Sequence, residues 1–246
     1  IGGGEDREKE MLILSKFVAL AGSKNGEIMV VPTASQLDNI GPDYIDIFKS
    51  LGIGKVEFLP INNREDCNNP VFTEMLERAT GIFMTGGNQL RLSTILGGTL
   101  VAQTIRRQNA TGVAVAGTSA GASIMSEHMI AGGEGNTGPS ANGVSLAPGI
   151  GLTNAVIIDQ HFTQRNRFGR LLSASSFNPF LIGLGIDEDT AAFIGPDNVI
   201  EVVGSGAVTV VDADGLTYSS MSQSESSEPL SLLGLKGWLI NYKKIL

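Results

Sequence analysis

A serine in a glycine-flanked turn is the residue of this sequence best placed to do chemistry. Ser119 is the centre of Gly117-Thr118-Ser119-Ala120-Gly121, a G-x-S-x-G pattern that directly follows the apolar run at residues 112–116. Residues 122–125 are predicted to be helical. In a strand–turn–helix elbow of this kind the hydroxyl is exposed above the sheet edge, and the helix N-terminus offers N–H groups to a developing oxyanion. The motif alone fits either a catalytic serine or an ordinary glycine-rich turn.

A serine nucleophile at neutral pH needs a base within hydrogen-bond reach, and that base is usually histidine. The chain has two histidines. His128 lies nine residues after Ser119, which is about 13 Å along a continuous helix, so we interpret it as an ordinary residue at a helix end. His161 follows the strand-like run at residues 155–158 and is expected at the same sheet edge as the serine. His161 is therefore the candidate base.

The third member of a serine triad is a carboxylate that orients the imidazole and stabilises its protonated form. Asp187, Glu188 and Asp189 follow the apolar run at residues 181–186. The residues alone leave open which of the three acts, and a solvated acidic turn is the alternative. If one of them serves, the chain order is serine, histidine, acid, whereas α/β-hydrolases place the acid before the histidine. This order indicates another lineage of serine hydrolase.

An oxyanion hole needs two N–H donors. Ala120, the residue after the serine, is predicted to be one, and Gly87 within Thr85-Gly86-Gly87-Asn88 is predicted to be the other. The glycine-rich segments do not match phosphate-binding loops: there is no G-x-x-x-x-G-K-[ST], and Arg7 occupies the last position of a G-x-G-x-x-G pattern begun at Gly2. We therefore expect no nucleotide cofactor.

The elements that must position these residues alternate between strand-like and helical patterns. Strands are predicted at residues 27–31, 56–59, 81–84, 112–116, 155–158 and 181–186. Helices are predicted at 5–21, 44–51, 71–79, 90–107 and 167–174, and Gly97-Gly98 is a candidate break in the fourth of them. Short strands follow at 191–194, 199–203, 207–212 and 216–219, with turn residues between them. This order predicts an α/β three-layer sandwich with a mostly parallel central sheet and antiparallel strands near the C-terminus. Residues 131–149 show no periodicity, which is typical of a functional or a disordered loop.

Composition limits the number of domains and the kinds of partner that this chain can have. The 246 residues, 42% of them hydrophobic, are enough for a single domain spanning residues 1–246. A net charge of −8 argues against a nucleic-acid or anionic-membrane partner, and no apolar run reaches the roughly 18 residues that span a bilayer. The single cysteine, Cys67, allows no internal disulfide. The opening Ile1-Gly2-Gly3-Gly4 is typical of a strand end, which predicts that most of a first strand precedes this sequence.

Several segments together resemble the cyanophycinases, in the order expected and over nearly the whole chain. The segments are Gly117-Thr118-Ser119-Ala120-Gly121-Ala122-Ser123, Asp159-Gln160-His161-Phe162 with Arg165, Arg167 and Gly169-Arg170-Leu171 after it, Gly185-Ile186-Asp187-Glu188, Thr85-Gly86-Gly87-Asn88-Gln89, and residues 1–6 and 30–35. These proteins are serine peptidases of the aspartyl-dipeptidase lineage. Their fold is similar to that of the class I glutamine amidotransferase domain.

The resemblance implies hydrolysis of cyanophycin, a poly-aspartate with an arginine attached to each β-carboxyl, to β-aspartyl-arginine dipeptides. It also implies that Ser119 is the nucleophile, His161 the base and Glu188 the orienting acid. Family members are homodimers without a metal, and many act in the cytoplasm. An α-aspartyl or isoaspartyl dipeptidase of the same lineage is the alternative, and a catalytically silent ligand-binding relative is another.

Charged and amide side chains near the candidate base suit such a substrate. Arg165, Arg167 and Arg170 follow His161 within ten residues, although the chain has only 17 lysines and arginines. Guanidinium groups bind carboxylates bidentately, so these arginines are expected to bind the substrate's carboxylates; a helix start with surface salt bridges is the alternative. Four further residues are expected to bind its guanidinium or amide groups: Asn88, Gln89, Asp159 and Gln160.

Overall fold

The computed structural model describes residues 1–133, 138–225 and 228–241. The helices are α1 (Leu12–Leu20), α2 (Ile40–Ser50), α3 (Pro70–Arg78), α4 (Gln89–Leu96), α5 (Leu100–Ala110), α6 (Ala120–Ser123) and α7 (Phe168–Phe177). The first strands are β1 (Glu27–Val31), β2 (Lys55–Phe58), β3 (Gly81–Met84), β4 (Ala114–Gly117), β5 (His128–Gly132), β6 (Ser145–Pro148) and β7 (Val156–Gln160). The remaining strands are β8 (Ile182–Ile186), β9 (Thr190–Ile194), β10 (Ile200–Gly204), β11 (Ala207–Asp212), β12 (Tyr218–Ser219), β13 (Leu232–Leu233) and β14 (Lys236–Asn241).

The central sheet is parallel and has helices on both faces. Its strand order is β2-β1-β3-β4, and all three pairings are parallel. Alternate residues of β1 and β3 point to opposite faces. Ile28, Val30 and Phe83 pack with residues of α1 and α2, whereas Met29 and Val31 pack with residues of α3, α4 and α5. The predicted α/β architecture with layers on both sides of a parallel sheet is confirmed.

The C-terminal part adds antiparallel strands, as predicted. A second sheet has the order β14-β11-β8-β7, in which β7 and β8 are parallel and β11 is antiparallel to both of its neighbours. Strands β9 and β10 form an antiparallel pair beside it. The carboxyl ends of β7 and β8 lead into the segments that carry His161 and Glu188.

The opening segment connects the ends of these two sheets. The backbone nitrogen of Ile1 donates to the carbonyl oxygen of Gly117 at 2.8 Å, and the N–H of Ser119 donates to the carbonyl oxygen of Ile1 at 3.1 Å. The next carbonyl, that of Gly2, accepts the N–H of His161 at 2.8 Å. The segment therefore fixes the end of β4 relative to the end of β7.

Helix α1 begins later than the pattern at residues 5–21 predicts. The carboxylate of Asp6 accepts hydrogen bonds from the backbone N–H groups of four following residues, Glu8, Lys9, Glu10 and Met11. Met11 adopts a left-handed conformation with φ of 44°. An aspartate that binds its own following backbone competes with helix formation, so the helix starts at Leu12.

The interpretation of His128 as a helix-end residue is wrong. Helix α6 has only four residues, because the carbonyls of Ile124 and Met125 accept the N–H groups of Ile150 and Leu152 rather than those of a further helical turn. The chain then enters β5 at His128 and pairs antiparallel with β6. The aperiodic stretch at 131–149 thus includes half of a hairpin, and its residues 134–137 lie outside the described residues.

Candidate active site

The turn between β4 and α6 holds Ser119 in a strained backbone conformation, with φ of 52° and ψ of −112°. Positive φ is unfavourable for a residue with a Cβ atom and is common at functional sites. The flanking glycines allow close backbone approach. A Cβ atom on Gly117 would overlap the carbonyl of Gly121, and one on Gly121 would overlap the carbonyl of Met84. Both glycines of the motif are therefore required by the packing of the elbow.

Three side chains form a continuous line of hydrogen bonds at this edge. The Oγ of Ser119 lies 2.9 Å from Nε2 of His161, and Nδ1 of the same ring lies 2.5 Å from Oε1 of Glu188. A carboxylate beside Nδ1 places the ring proton there, which leaves Nε2 free to accept the hydroxyl proton. The backbone N–H of Glu188 in turn donates to Oε1 of Gln164 at 3.0 Å, a contact that sequence reasoning missed. The geometry suits a general base that activates a serine.

The other two acids of the 187–189 turn have different partners. Asp187 accepts hydrogen bonds from the N–H and Oγ1 of Thr163 at 3.0 and 2.7 Å. Asp189 accepts the N–H of Asp6 at 2.9 Å and the hydroxyl of Ser205 at 2.7 Å. Both carboxylates stabilise the loops around the site. Of the three acids that the residues alone left open, only Glu188 faces the imidazole.

The surroundings of His161 favour its neutral form. Burial of the ring lowers its pKa below the ordinary value, and the positive charges of Arg165 and Arg167 lower it further, against the opposing effect of Glu188. The ring lies against the backbone of Gly3, where a Cβ atom would overlap the imidazole and where φ is 101°. Glycine at this position is thus explained by the close approach of the ring.

Two glycines on the neighbouring strand end lie close to the elbow. A Cβ atom built on Gly86 would lie 3.4 Å from the Cβ of Ser119, so Gly86 directly faces the serine. Gly87 adopts φ of 145° and packs against the backbone of Ala34. Within the described residues, the N–H groups of Gly86, Gly87 and Ala120 donate no hydrogen bond. These free donors can serve an oxyanion, and sequence reasoning named Gly87 but missed Gly86.

Comparison with known proteins identifies the family of this chain. Residues 1–202 match peptidase family S51. The chain belongs to this family. It is therefore a peptidase, and its serine, histidine and glutamate lie inside the matched region.

Curated relatives match nearly the whole chain of this S51 peptidase. A cyanophycinase from Trichormus variabilis is 43% identical over 244 residues, which cover 98% of this chain and 82% of the relative. A cyanophycinase from Synechococcus elongatus is 42% identical over 238 residues, covering 96% of this chain and 74% of the relative. Among solved structures, a peptidase from an acI-B1 Actinobacterium superposes with a TM-score of 0.70 at 24% identity, covering 100% of this chain and 94% of that one. That likeness supports the fold.

Two predicted substrate-binding residues of the S51 peptidase instead form a buried ion pair. Arg170 donates from Nε to Oδ2 of Asp159 at 2.9 Å and from Nη2 to Oδ1. The exposed fractions are 2% for Arg170 and 0% for Asp159. The expectation that these two side chains bind substrate directly is therefore corrected, because each charge is already paired and shielded from ligand. Arg170 also donates to the carbonyl of Gly133 at 2.8 Å, which anchors the end of β5.

Arg167 and Gln160 lie between that ion pair and the serine. The Nη1 of Arg167 donates to the backbone and side-chain oxygens of Gln160 at 2.5 and 3.0 Å. Burial and the charge of Arg170 lower the pKa of Arg167 to about 10. The Oε1 of Gln160 lies 3.4 Å from Oγ of Ser119, as a second and more distant acceptor for the hydroxyl proton that faces His161. Gln160 thus reaches the nucleophile, whereas Arg167 holds Gln160 in place.

The remaining predicted binding residues are more accessible. Arg165 is exposed, and its positive charge helps to lower the pKa of His161. Gln89 is half-buried, and its Nε2 donates to the carbonyl of Ala131 at 3.1 Å. Asn88 is exposed and caps α4, because its Oδ1 accepts the N–H of Arg91 at 3.0 Å. No three His, Cys, Asp or Glu side chains within the described parts of the chain form a group that could hold a metal.

A buried carboxylate behind the elbow was missed by sequence reasoning. The side chain of Glu5 is fully buried and accepts hydrogen bonds from Oγ1 of Thr118 at 2.5 Å, from the hydroxyl of Tyr44, and from Nη2 of Arg7 at 2.9 Å. Thr118 immediately precedes the serine. Glu5 and Thr118 are 113 residues apart, so no local spacing in the sequence could have revealed the contact.

Proposed function

We propose that this S51 peptidase hydrolyses cyanophycin as an exopeptidase and releases β-aspartyl-arginine dipeptides. The observation that carries the proposal is the continuous hydrogen-bond line from Ser119 through His161 to Glu188. The curated relatives at 41–43% identity are named cyanophycinases, and these names indicate the substrate. Peptide hydrolysis needs a nucleophile, a base and an orienting acid, and the three side chains provide these functions.

The chemistry divides into two steps. First, Nε2 of His161 takes the proton of the Ser119 hydroxyl as Oγ attacks the carbonyl carbon of a backbone aspartyl amide. The C–N bond breaks, the imidazolium gives its proton to the leaving amine, and an acyl-enzyme ester remains on the serine. Water then attacks the ester with His161 again as base, and the serine is regenerated. Glu188 stabilises the imidazolium in both steps.

The negative oxygen of each tetrahedral intermediate needs preorganised donors. The N–H of Ala120, at the start of α6, and that of Gly87 are proposed as the oxyanion hole, with Gly86 beside the serine. Such donors act without reorganisation at the moment of reaction. Removal of one donor in related chemistry costs about 10²–10³-fold in kcat.

Substrate binding follows from the charges at this edge. Arg165, which is exposed, is proposed to bind an arginine α-carboxylate of the polymer, since guanidinium and carboxylate pair bidentately. Gln160 and Gln89 are proposed to bind amide or guanidinium groups next to the scissile bond. Arg167 is proposed to act by holding Gln160. The net charge of −8 attracts the guanidinium groups of the polymer but not its carboxylates, which leaves the carboxylates to the local arginines.

Three further properties that the resemblance implies are part of the proposal. The protein acts as a homodimer, functions in the cytoplasm, and forms a single domain over residues 1–246. Within the described residues, none of the helices is both long enough and apolar enough to span a bilayer.

A substrate panel tests the proposal. The kcat/KM for cyanophycin should exceed that for short α-aspartyl and β-aspartyl dipeptides, because the leading candidate acts on the polymer. A higher value for the dipeptides would favour the dipeptidase of the same lineage. Labelling by a fluorophosphonate probe, lost in Ser119→Ala, would exclude a catalytically silent relative.

A further inference from the structure

A cavity of about 410 Å³ lies at the carboxyl ends of β1 and β2, apart from the proposed triad. Its walls include Ser35, Asp38, Phe58, Asn62 and Arg91. The volume falls within the range of about 300–1,000 Å³ typical of small-ligand sites. The cavity has polar and charged groups together with an aromatic ring, a combination that suits a flexible charged side chain.

The cavity lies on the same sheet edge as the nucleophile. Gly86 faces Ser119, the next residue Gly87 packs against the backbone of Ala34 and Ser35, and Ser35 lines the cavity. In the order β2-β1-β3-β4, the cavity is two to three strands away from the elbow. At about 4.8 Å per strand this is about 10–15 Å, a distance that an extended chain covers in about three or four residues.

Arg91 provides a fixed positive charge there. Its Nε donates to the carbonyl of Thr33 at 2.9 Å and its Nη2 donates to the carbonyl of Asn62 at 2.9 Å. The side chain is half-buried, and no carboxylate among the described residues forms a salt bridge with it. Neutral carbonyls hold the guanidinium in place but leave its charge uncompensated, so the group is preorganised for an anion.

Asp38 provides the opposite charge. It is exposed in the loop before α2, and within the described parts of the chain its carboxylate accepts no hydrogen bond and forms no salt bridge. The cavity therefore combines a fixed cation with an unpaired anion. A ligand with one free carboxylate and one guanidinium matches both.

We propose that this cavity is a distal subsite for an arginyl group of the polymer, several units away from the bond cleaved at Ser119. The proposal rests on the proposed function. Each arginine of cyanophycin is attached through its α-amine, so its guanidinium and its α-carboxylate are both free. Asp38 binds the guanidinium, Arg91 binds the α-carboxylate, and Phe58 packs against the methylene groups between them.

The test compares Asp38→Asn with Asp46→Asn, a matched control. Both aspartates are exposed, and Asp46 lies on α2 but does not line the cavity. The substrates are synthetic oligomers of two and of six β-aspartyl-arginine units. For Asp38→Asn, KM for the six-unit oligomer should rise about three- to tenfold with little change in kcat, as expected for loss of one partly exposed charge pair. The two-unit oligomer should be unaffected, and Asp46→Asn should match the wild type on both.

Changes to the substrate identify which of its groups the cavity binds. Citrulline in the distal units replaces the guanidinium by a neutral group of similar size. The wild type should lose affinity for this oligomer, whereas Asp38→Asn should lose nothing further. Agmatine in the distal units removes the α-carboxylate and tests Arg91 without altering the protein; the wild type should again show a raised KM.

The outcomes separate the two proposals. If Asp38→Asn and Asp46→Asn give the same KM for the six-unit oligomer, or if citrulline weakens both proteins equally, the subsite is refuted while the proposed function stands. If the wild type cleaves neither oligomer, the proposed function fails, and the subsite that depends on it is refuted with it.

Discussion

The hydroxyl oxygen of Ser119 lies 2.9 Å from Nε2 of His161, and both residues adopt positive φ, 52° and 47°. Such conformations of non-glycine residues cost about 1–3 kcal/mol each. The opening segment holds both, since the N–H of Ser119 donates to the carbonyl of Ile1 and that of His161 donates to the carbonyl of Gly2. The alignment of the proposed nucleophile and base thus depends on a segment that itself carries no reacting group.

Substitution of the serine or the histidine tests their joint action. Ser119→Ala and His161→Ala should each lower kcat by about 10³-fold or more, and the double variant should be no worse than either single variant, because members of a triad act as a unit. His128→Ala is the matched control, since His128 lies at the start of β5, and it should retain near wild-type kcat. Steady-state kinetics with cyanophycin provides the measurement, and full activity in either variant would overturn the mechanism.

The acid is tested by Glu188→Gln, which keeps the size of the side chain and removes its charge. Because the amide can no longer stabilise an imidazolium, kcat should fall by about 10²–10⁴-fold. Glu74→Gln, an exposed glutamate on α3, serves as control and should be unaffected. Equal kcat in the two variants would rule out a catalytic role for Glu188.

The pH dependence of kcat/KM follows from the lowered pKa of His161. The base acts when neutral, so activity should be retained at pH 6.5, the ordinary pKa of histidine, and be lost as pH falls through the lower pKa of this residue. Arg165→Gln removes a positive charge that disfavours the imidazolium, so the pKa should rise and the acid limb should move to higher pH. Arg106→Gln, an exposed arginine on α5, should leave the limb in place. A limb that does not move in Arg165→Gln would contradict this electrostatic account.

The buried ion pair between Asp159 and Arg170 is expected to contribute to stability. Arg170→Met removes the bidentate partner of the buried Asp159 carboxylate and leaves only Arg167, whose Nη1 lies 3.6 Å from Oδ1. The free energy of unfolding should therefore fall by about 3 kcal/mol, the lower end of the range for a buried pair that has lost one partner. The double variant Asp159→Leu with Arg170→Met should lose less than the sum of the single variants, because neither member of the pair is left buried without the other. Urea unfolding of the four proteins gives the cycle, and additive losses would show that the pair is not coupled.

The contact between Glu5 and Thr118 is tested by two substitutions of the threonine. Thr118→Val removes the hydroxyl but keeps the shape, so it should lower the free energy of unfolding by about 1–3 kcal/mol and also lower kcat, since the neighbouring serine loses its support. Thr118→Ser keeps the hydroxyl and should retain more of both. Equal values for the two variants would mean that the hydrogen bond to Glu5 has no part in holding the elbow.

Local patterns predicted most of the fold and part of the site. The parallel strands were visible as apolar runs, and Ser119 and His161 followed from their positions at strand ends. The distinction between Glu188 and its two neighbours could not be made from spacing, because it depends on which carboxylate faces the ring; only the resemblance pointed to Glu188. Asp159 and Arg170 are residue types that are common in binding sites. The structure buries both and pairs them with each other, which the sequence does not show, so they stabilise the fold instead.

Other features depend on contacts between distant parts of the chain. The carboxylate of Glu5 meets Thr118 only because the opening segment crosses the elbow. The early end of α6 depends on hydrogen bonds from Ile150 and Leu152 to carbonyls after the elbow. Neither arises from a local periodicity, so the short helix and the strand at His128 could not be predicted.

Digestion of purified cyanophycin, with mass spectrometry of the products, tests the proposed substrate and nucleophile together by comparing the wild type with Ser119→Ala. We expect release of β-aspartyl-arginine by the wild type and intact polymer with a folded Ser119→Ala protein. Intact polymer with correctly folded wild type would contradict the proposed substrate, and release of the dipeptide by Ser119→Ala at the wild-type rate would contradict the proposed nucleophile.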